Sequence, residues 1–110
     1  MNDQASRVAP VIVELPAEID VTNSEQVYGR LIAALAPGVE IVIADLTSTS
    51  FCDSSGVRAI VRAHESAAAR DIRLQLAVPP EGSVRRVLQL TGVGTIMGIY
   101  LSLEEAINAG

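Results

Sequence analysis

The sequence contains no lysine and no tryptophan, and only one cysteine, one histidine and one phenylalanine. Each scarcity removes a class of chemistry. Without lysine there is no Walker-type phosphate loop, no Schiff-base amine and no receiver-domain lysine switch. One cysteine and one histidine cannot make a zinc-ligand set, so no metal or other cofactor is expected. The lone Cys52 forms no internal disulfide, which suits a reducing compartment and a cytoplasmic protein. No Gly-x-Ser-x-Gly elbow occurs, which speaks against a serine hydrolase. The apolar runs fall short of a membrane span, and the polar N-terminal stretch lacks the basic-then-apolar order of a signal peptide.

All eight basic residues are arginines and 13 residues are acidic, giving a net charge of −5. Phosphate backbones demand clustered cations, so this acidic, aromatic-poor chain is not expected to bind nucleic acid. The same balance argues against an anionic membrane surface.

What is present is a foldable core. Of 110 residues, 49% are hydrophobic and 19% charged, the balance of one packed α/β domain spanning 1–110, with residues 1–7 frayed. Val8 to Leu15, interrupted by Pro10, predicts an edge or entry strand, broken by Pro16 to Asp20. Thr22 to Ala36 predicts a helix capped by Thr22 or Asn23 and stopped by Pro37-Gly38. Val39 to Leu46, with the run Ile41-Val42-Ile43-Ala44, predicts a central strand covered on both faces. A second helix is expected from Asp53 or Ser54 to about Arg70, with Val57, Ile60, Val61, His64 and Ala68 on its apolar stripe.

A strand over 72–78, a helix over 83–90, a strand over 96–101 and a closing helix capped by Ser102 complete the pattern. Strand–helix repeated about four times implies a mixed, mostly parallel sheet with about four helices. Right-handed crossovers then gather the post-strand loops at one end of the sheet. The hydroxyl-rich loop Thr47-Ser48-Thr49-Ser50 and the motif Asp53-Ser54-Ser55-Gly56 belong to that end.

By spacing alone the motif is a helix cap, since Asp and Ser are favoured capping residues and Gly tolerates tight geometry. It also fits a phosphorylation site. A phosphate brings roughly −1.5 to −2 charges, which free N–H groups at a helix start can hold. Arg58, four residues beyond Ser54, lies within reach of it.

The stretch Ile41-Val-Ile-Ala-Asp-Leu-Thr-Ser-Thr-Ser-Phe-Cys-Asp-Ser-Ser-Gly-Val57 resembles the signature of STAS domains in anti-sigma-factor antagonists. Ala17-Glu18-Ile19-Asp20 is similar to that family's turn before the first helix. Val84 to Gly92 resembles its third helix, and Ser102 to Ala106 its closing one. Two positions depart from the pattern: Ala17 stands where the family usually has Gly, and Cys52 where it generally has an aliphatic residue.

The resemblance implies a partner switch without catalysis. The unphosphorylated domain binds an anti-sigma factor that is a serine kinase, releasing a sigma factor. The kinase then phosphorylates the serine after the aspartate, here Ser54, with Ser55 as second choice, and a PP2C-type phosphatase resets the switch. Asp53 and Gly56 shape the motif; Thr47, Ser48, Thr49, Arg58 and Arg62 are partner-contact candidates. The alternatives are a STAS subunit of a transport complex or signalling scaffold, and a small serine hydrolase.

Three further features carry simpler expectations. His64 is expected to be partly buried with one nitrogen satisfied. Asp45 is expected to cap local N–H groups. Gly92-Val93-Gly94 reads as a turn rather than a nucleotide loop.

Overall fold

The computed structural model describes residues 9–109, so the expected fraying of residues 1–7 lies outside the described residues. The chain runs β1 (Val11–Glu14), β2 (Glu18–Ile19), α1 (Ser24–Ala33), β3 (Ile41–Asp45), β4 (Phe51–Cys52) and α2 (Ser54–Ala68). It continues through β5 (Arg73–Ala77), α3 (Ser83–Thr91), a 3-10 turn (Val93–Thr95), β6 (Ile99–Tyr100) and α4 (Leu103–Ala109). The main sheet has the order β1-β3-β5-β6, and β2 pairs with β4 in a second, two-stranded sheet. Every pairing among the described residues is parallel, as helices inserted between successive strands require.

Side-chain alternation on β3 divides the core. Val42 and Ala44 join the large cluster, which holds Val27 and Leu31 of α1, Ile60 of α2 and Leu88 of α3. Ile41 and Ile43 point the other way, into a smaller cluster with Ala77 and Ala106 of α4. Three helices therefore cover one face and α4 the other. All five β3 residues are buried, as the near-continuous apolar run predicts. Full burial of a side chain such as Ile60 contributes about 1.5–3 kcal/mol.

The helices end for legible reasons. Asp53 caps α2, accepting from two backbone N–H groups of the first turn. Gly92, at φ 73, closes α3 in the left-handed conformation that glycine adopts without strain. Ser102 Oγ accepts from the Glu105 N–H at 3.0 Å, and the Glu105 carboxylate accepts from the Leu101 N–H. This is a close variant of a capping box.

Three expectations need correction. Glu18–Ile19 forms a strand rather than only a break, because Phe51–Cys52 offers it a parallel partner 33 residues away. Asn23 occupies the position before α1 but does not cap it. Its side chain accepts from Asp20 N–H and donates to the Glu18 carbonyl, holding the preceding turn. The last strand shrinks to Ile99–Tyr100, since 93–95 wind into a 3-10 turn after Gly92.

Candidate functional site

The site is built where β3 and β1 run out. Leu15 N–H donates to the Asp45 carbonyl at 2.9 Å and Leu46 N–H to the Ala77 carbonyl at 2.7 Å, so the strand ends stay in register beyond the ladder. The Asp45 carboxylate accepts from the Thr47 N–H at 2.9 Å and from its hydroxyl at 2.7 Å. That is the expected local turn, and it engages the Thr47 hydroxyl in a local bond. Thr49 Oγ1 donates to the Pro16 carbonyl at 2.8 Å, and Ser50 N–H to the Ala17 carbonyl at 2.8 Å. These bonds tie the loop after β3 to the chain before β2.

Thr49, expected as a partner-contact candidate, is instead buried within the loop. It is only 2% exposed, and its hydroxyl is spent on the loop tie. Thr47 and Ser48 remain exposed at the same end.

From Cys52 the chain enters α2 under tight constraint. Asp53 N–H donates to the Ile19 carbonyl at 3.1 Å, anchoring the helix start to β2. One carboxylate oxygen of Asp53 accepts from Ser55 N–H at 2.9 Å, Gly56 N–H at 3.3 Å and the Ser55 hydroxyl at 2.5 Å. The Ser55 hydroxyl bond, aided by the two backbone N–H groups, holds the Asp53 carboxyl below its ordinary range. A carboxylate with these partners stays ionised at neutral pH.

The paired serines thus differ. Ser55 is half-buried and donates its hydroxyl to Asp53. Ser54 is exposed at the first position of α2, and none of the hydrogen bonds among the described residues uses its hydroxyl. The sequence suggested that free backbone N–H groups would receive a phosphate here. Asp53 already occupies those of Ser55 and Gly56, so these two are not free to receive a group on Ser54.

Gly56 is buried because α2 enters directly over β2 and β4. Cys52, beneath it, is buried too, and burial first, then the nearby Asp53 charge, pushes its thiol up to about 11. It packs as a small apolar residue rather than a nucleophile.

The arginines of α2 part company. Arg58 is exposed, one turn from Ser54. Arg62 is drawn to α1, with Nη1 2.9 Å from Glu25 Oε2 and its guanidinium 4.0 Å above the Tyr28 ring. His64 is partly buried, as expected, and its Nδ1 is buried without a hydrogen-bond partner. Sequence reasoning also passed over the exposure of Val21, 76% exposed between β2 and α1, and of Phe51, 46% exposed on β4 just before α2. Their signal was an apolar residue inside a polar loop, which becomes meaningful only once β2 and β4 are paired.

No cluster of metal-ligating side chains occurs among the described residues, and no helix is long and apolar enough to cross a membrane.

This arrangement has counterparts in known proteins. The anti-sigma factor antagonist SpoIIAA, in its unphosphorylated form, is 30% identical, with a TM-score of 0.73 over 92% of this chain and 87% of its own. An anti-sigma factor antagonist from Mycobacterium paratuberculosis superposes with a TM-score of 0.81 at 20% identity, covering 94% of this chain and 86% of that one. A sulfate transporter family protein from Wolinella succinogenes gives 0.71 at 18% identity, covering 96% and 89%. At those lower identities the likeness concerns the fold. No curated protein sequence matches significantly. The STAS domain family model matches residues 2–106, nearly the whole chain, and with the parallel sheet, the four helices and the capped motif at α2 it establishes that this protein belongs to the STAS domain family.

Proposed function

We propose that this chain is an anti-sigma-factor antagonist of the cytoplasm, switched by phosphorylation of Ser54. In this reading the unphosphorylated domain binds an anti-sigma factor with serine-kinase activity and so releases a sigma factor. Phosphorylation ends the complex, and a PP2C-type phosphatase restores it. The chain is then a substrate and a binding module, not a catalyst.

The observation that carries the reading is the contrast between the two serines. Ser54 presents an exposed hydroxyl outside the hydrogen-bond network, whereas Ser55 is held by Asp53. The likeness to SpoIIAA, also known in a phosphorylated form at 30% identity and a TM-score of 0.65, supports it. The physics is favourable as well. A phosphoserine adds roughly −1.5 to −2 charges beside an ionised Asp53, on a surface that a partner must desolvate. Only about 1.4 kcal/mol of repulsion weakens a complex tenfold, so one modification suffices. Thr47, Ser48 and Arg58 surround this surface in the proposal, with Val21 and Phe51 as its apolar part.

The test is phosphorylation by a cognate kinase with ATP. Ser54→Ala should abolish the modified species and Ser55→Ala should retain it; the reverse result would move the phosphoacceptor to Ser55. In parallel, wild type and Ser54→Asp serve as baits against cytosol. A kinase captured by wild type and lost with the aspartate fits the switch. Recovery of membrane-transport subunits by both would assign the domain to a transport complex instead.

A further inference from the structure

Between α3, the 3-10 turn and β6 lies a cavity of about 220 Å³ that none of the α2 motif residues line. Val78 and Leu88, both buried, and Ile99 give it an apolar floor. Gly94 contributes wall without a side chain, and Arg85 and Gln89, one turn apart on α3, stand at its rim. We propose that this cavity binds a short-chain monocarboxylate, with the carboxylate on Arg85 and the alkyl chain on Val78, Leu88 and Ile99.

Arg85 is placed for that role. Its Nη1 donates to the Pro80 carbonyl at 2.9 Å, which fixes the guanidinium and leaves its other donors available. The ion pair found among the described residues joins Arg62 and Glu25, so Arg85 is in no ion pair there. Arg85 is half-buried as a residue, with its bond to Pro80 exposed, and a guanidinium beside apolar side chains suits a planar carboxylate that accepts two of its hydrogen bonds.

Size and charge narrow the class. Sites for drug-sized ligands run to roughly 300–1,000 Å³, so this smaller cavity fits a chain of about six carbons. Arg86 adds positive charge nearby; it and Glu81 line an adjoining depression together with Arg85. The domain as a whole carries −5, which disfavours dicarboxylates and phosphates more than a single negative charge.

The experiment is a titration of the ¹⁵N-labelled full chain with sodium hexanoate, with hexanol and acetate as the tail-only and head-only arms. Saturable amide shifts at Leu88, Gly92, Gly94 and Thr95 are expected, with a Kd of about 1 mM and each control weaker by about tenfold or more. Arg85→Gln should weaken hexanoate about tenfold and leave hexanol unchanged. Gly94→Leu should remove both, because a Cβ there meets only Ile99 Cδ1, at 3.5 Å, and the longer side chain fills the cavity. The same spectra report whether each variant is folded; if Gly94→Leu is not, Arg85→Gln decides. Absence of saturable shifts, shifts confined to other residues, or hexanoate binding by Arg85→Gln equal to wild type would overturn the proposal.

Discussion

Gly56 of α2 lies so close to Ile19 of β2 that a Cβ built on it would stand 2.7 Å from Ile19 Cγ2. The Cys52 sulfur closes the other side, at 2.6 Å from the same point. Both neighbours are buried, so neither can swing into solvent. The glycine of the motif therefore serves close packing of the helix start, not an unusual turn.

Gly56→Ala should destabilise the domain by about 1–3 kcal/mol, the usual cost of overpacking a closed site. Urea unfolding with an unchanged m-value would show it. A helix-propensity gain of the kind alanine gives elsewhere would contradict the contact.

Ser54→Ala should be nearly silent in the unmodified protein, within about 0.5 kcal/mol, as for other exposed side chains outside a network. Ser55→Ala should cost about 0.5–1.5 kcal/mol, since its hydroxyl bond to Asp53 is lost. Thermal unfolding of the two variants side by side separates the structural serine from the presented one.

Acid stability should depend on Asp53. Its folded pKa is depressed, chiefly by the Ser55 hydroxyl, so its contribution is fully present above the unfolded value and is lost as pH falls through the folded one. Asp53→Asn, which keeps a capping oxygen without the charge, should flatten the acid limb of a stability–pH profile. An unaltered limb would assign acid sensitivity to other carboxylates.

Arg62 joins two helices through Glu25 and Tyr28. Arg62→Ala should cost about 0.5–1 kcal/mol, the range for an exposed cation over an aromatic ring. A double-mutant cycle with Tyr28→Leu should return a coupling of the same order, and raised salt should reduce the Glu25 share.

Much of this molecule was legible in the chain. The buried run Ile41 to Ala44 marked the central strand, and the 3.6-residue spacing of Val57 and Ile60 marked the helix after it. Asp53 was readable as a cap because a short acceptor before an amphipathic run has few other uses. These are local properties, set by period and by the chemistry of one residue against its own backbone.

What the tertiary structure decided depends on segments far apart in sequence. Only the pairing of Glu18–Ile19 with Phe51–Cys52 explains why Gly56 must lack a side chain and why Thr49 is buried. Likewise Arg58 and Arg62, one turn apart and alike in sequence, differ because α1 supplies Glu25 and Tyr28 to just one of them. The sequence by itself determined a parallel α/β domain with a capped Asp-Ser-Ser-Gly helix start. Which serine stands free was a matter of geometry: one carboxylate oxygen can hold the hydroxyl its position reaches, and it reaches Ser55.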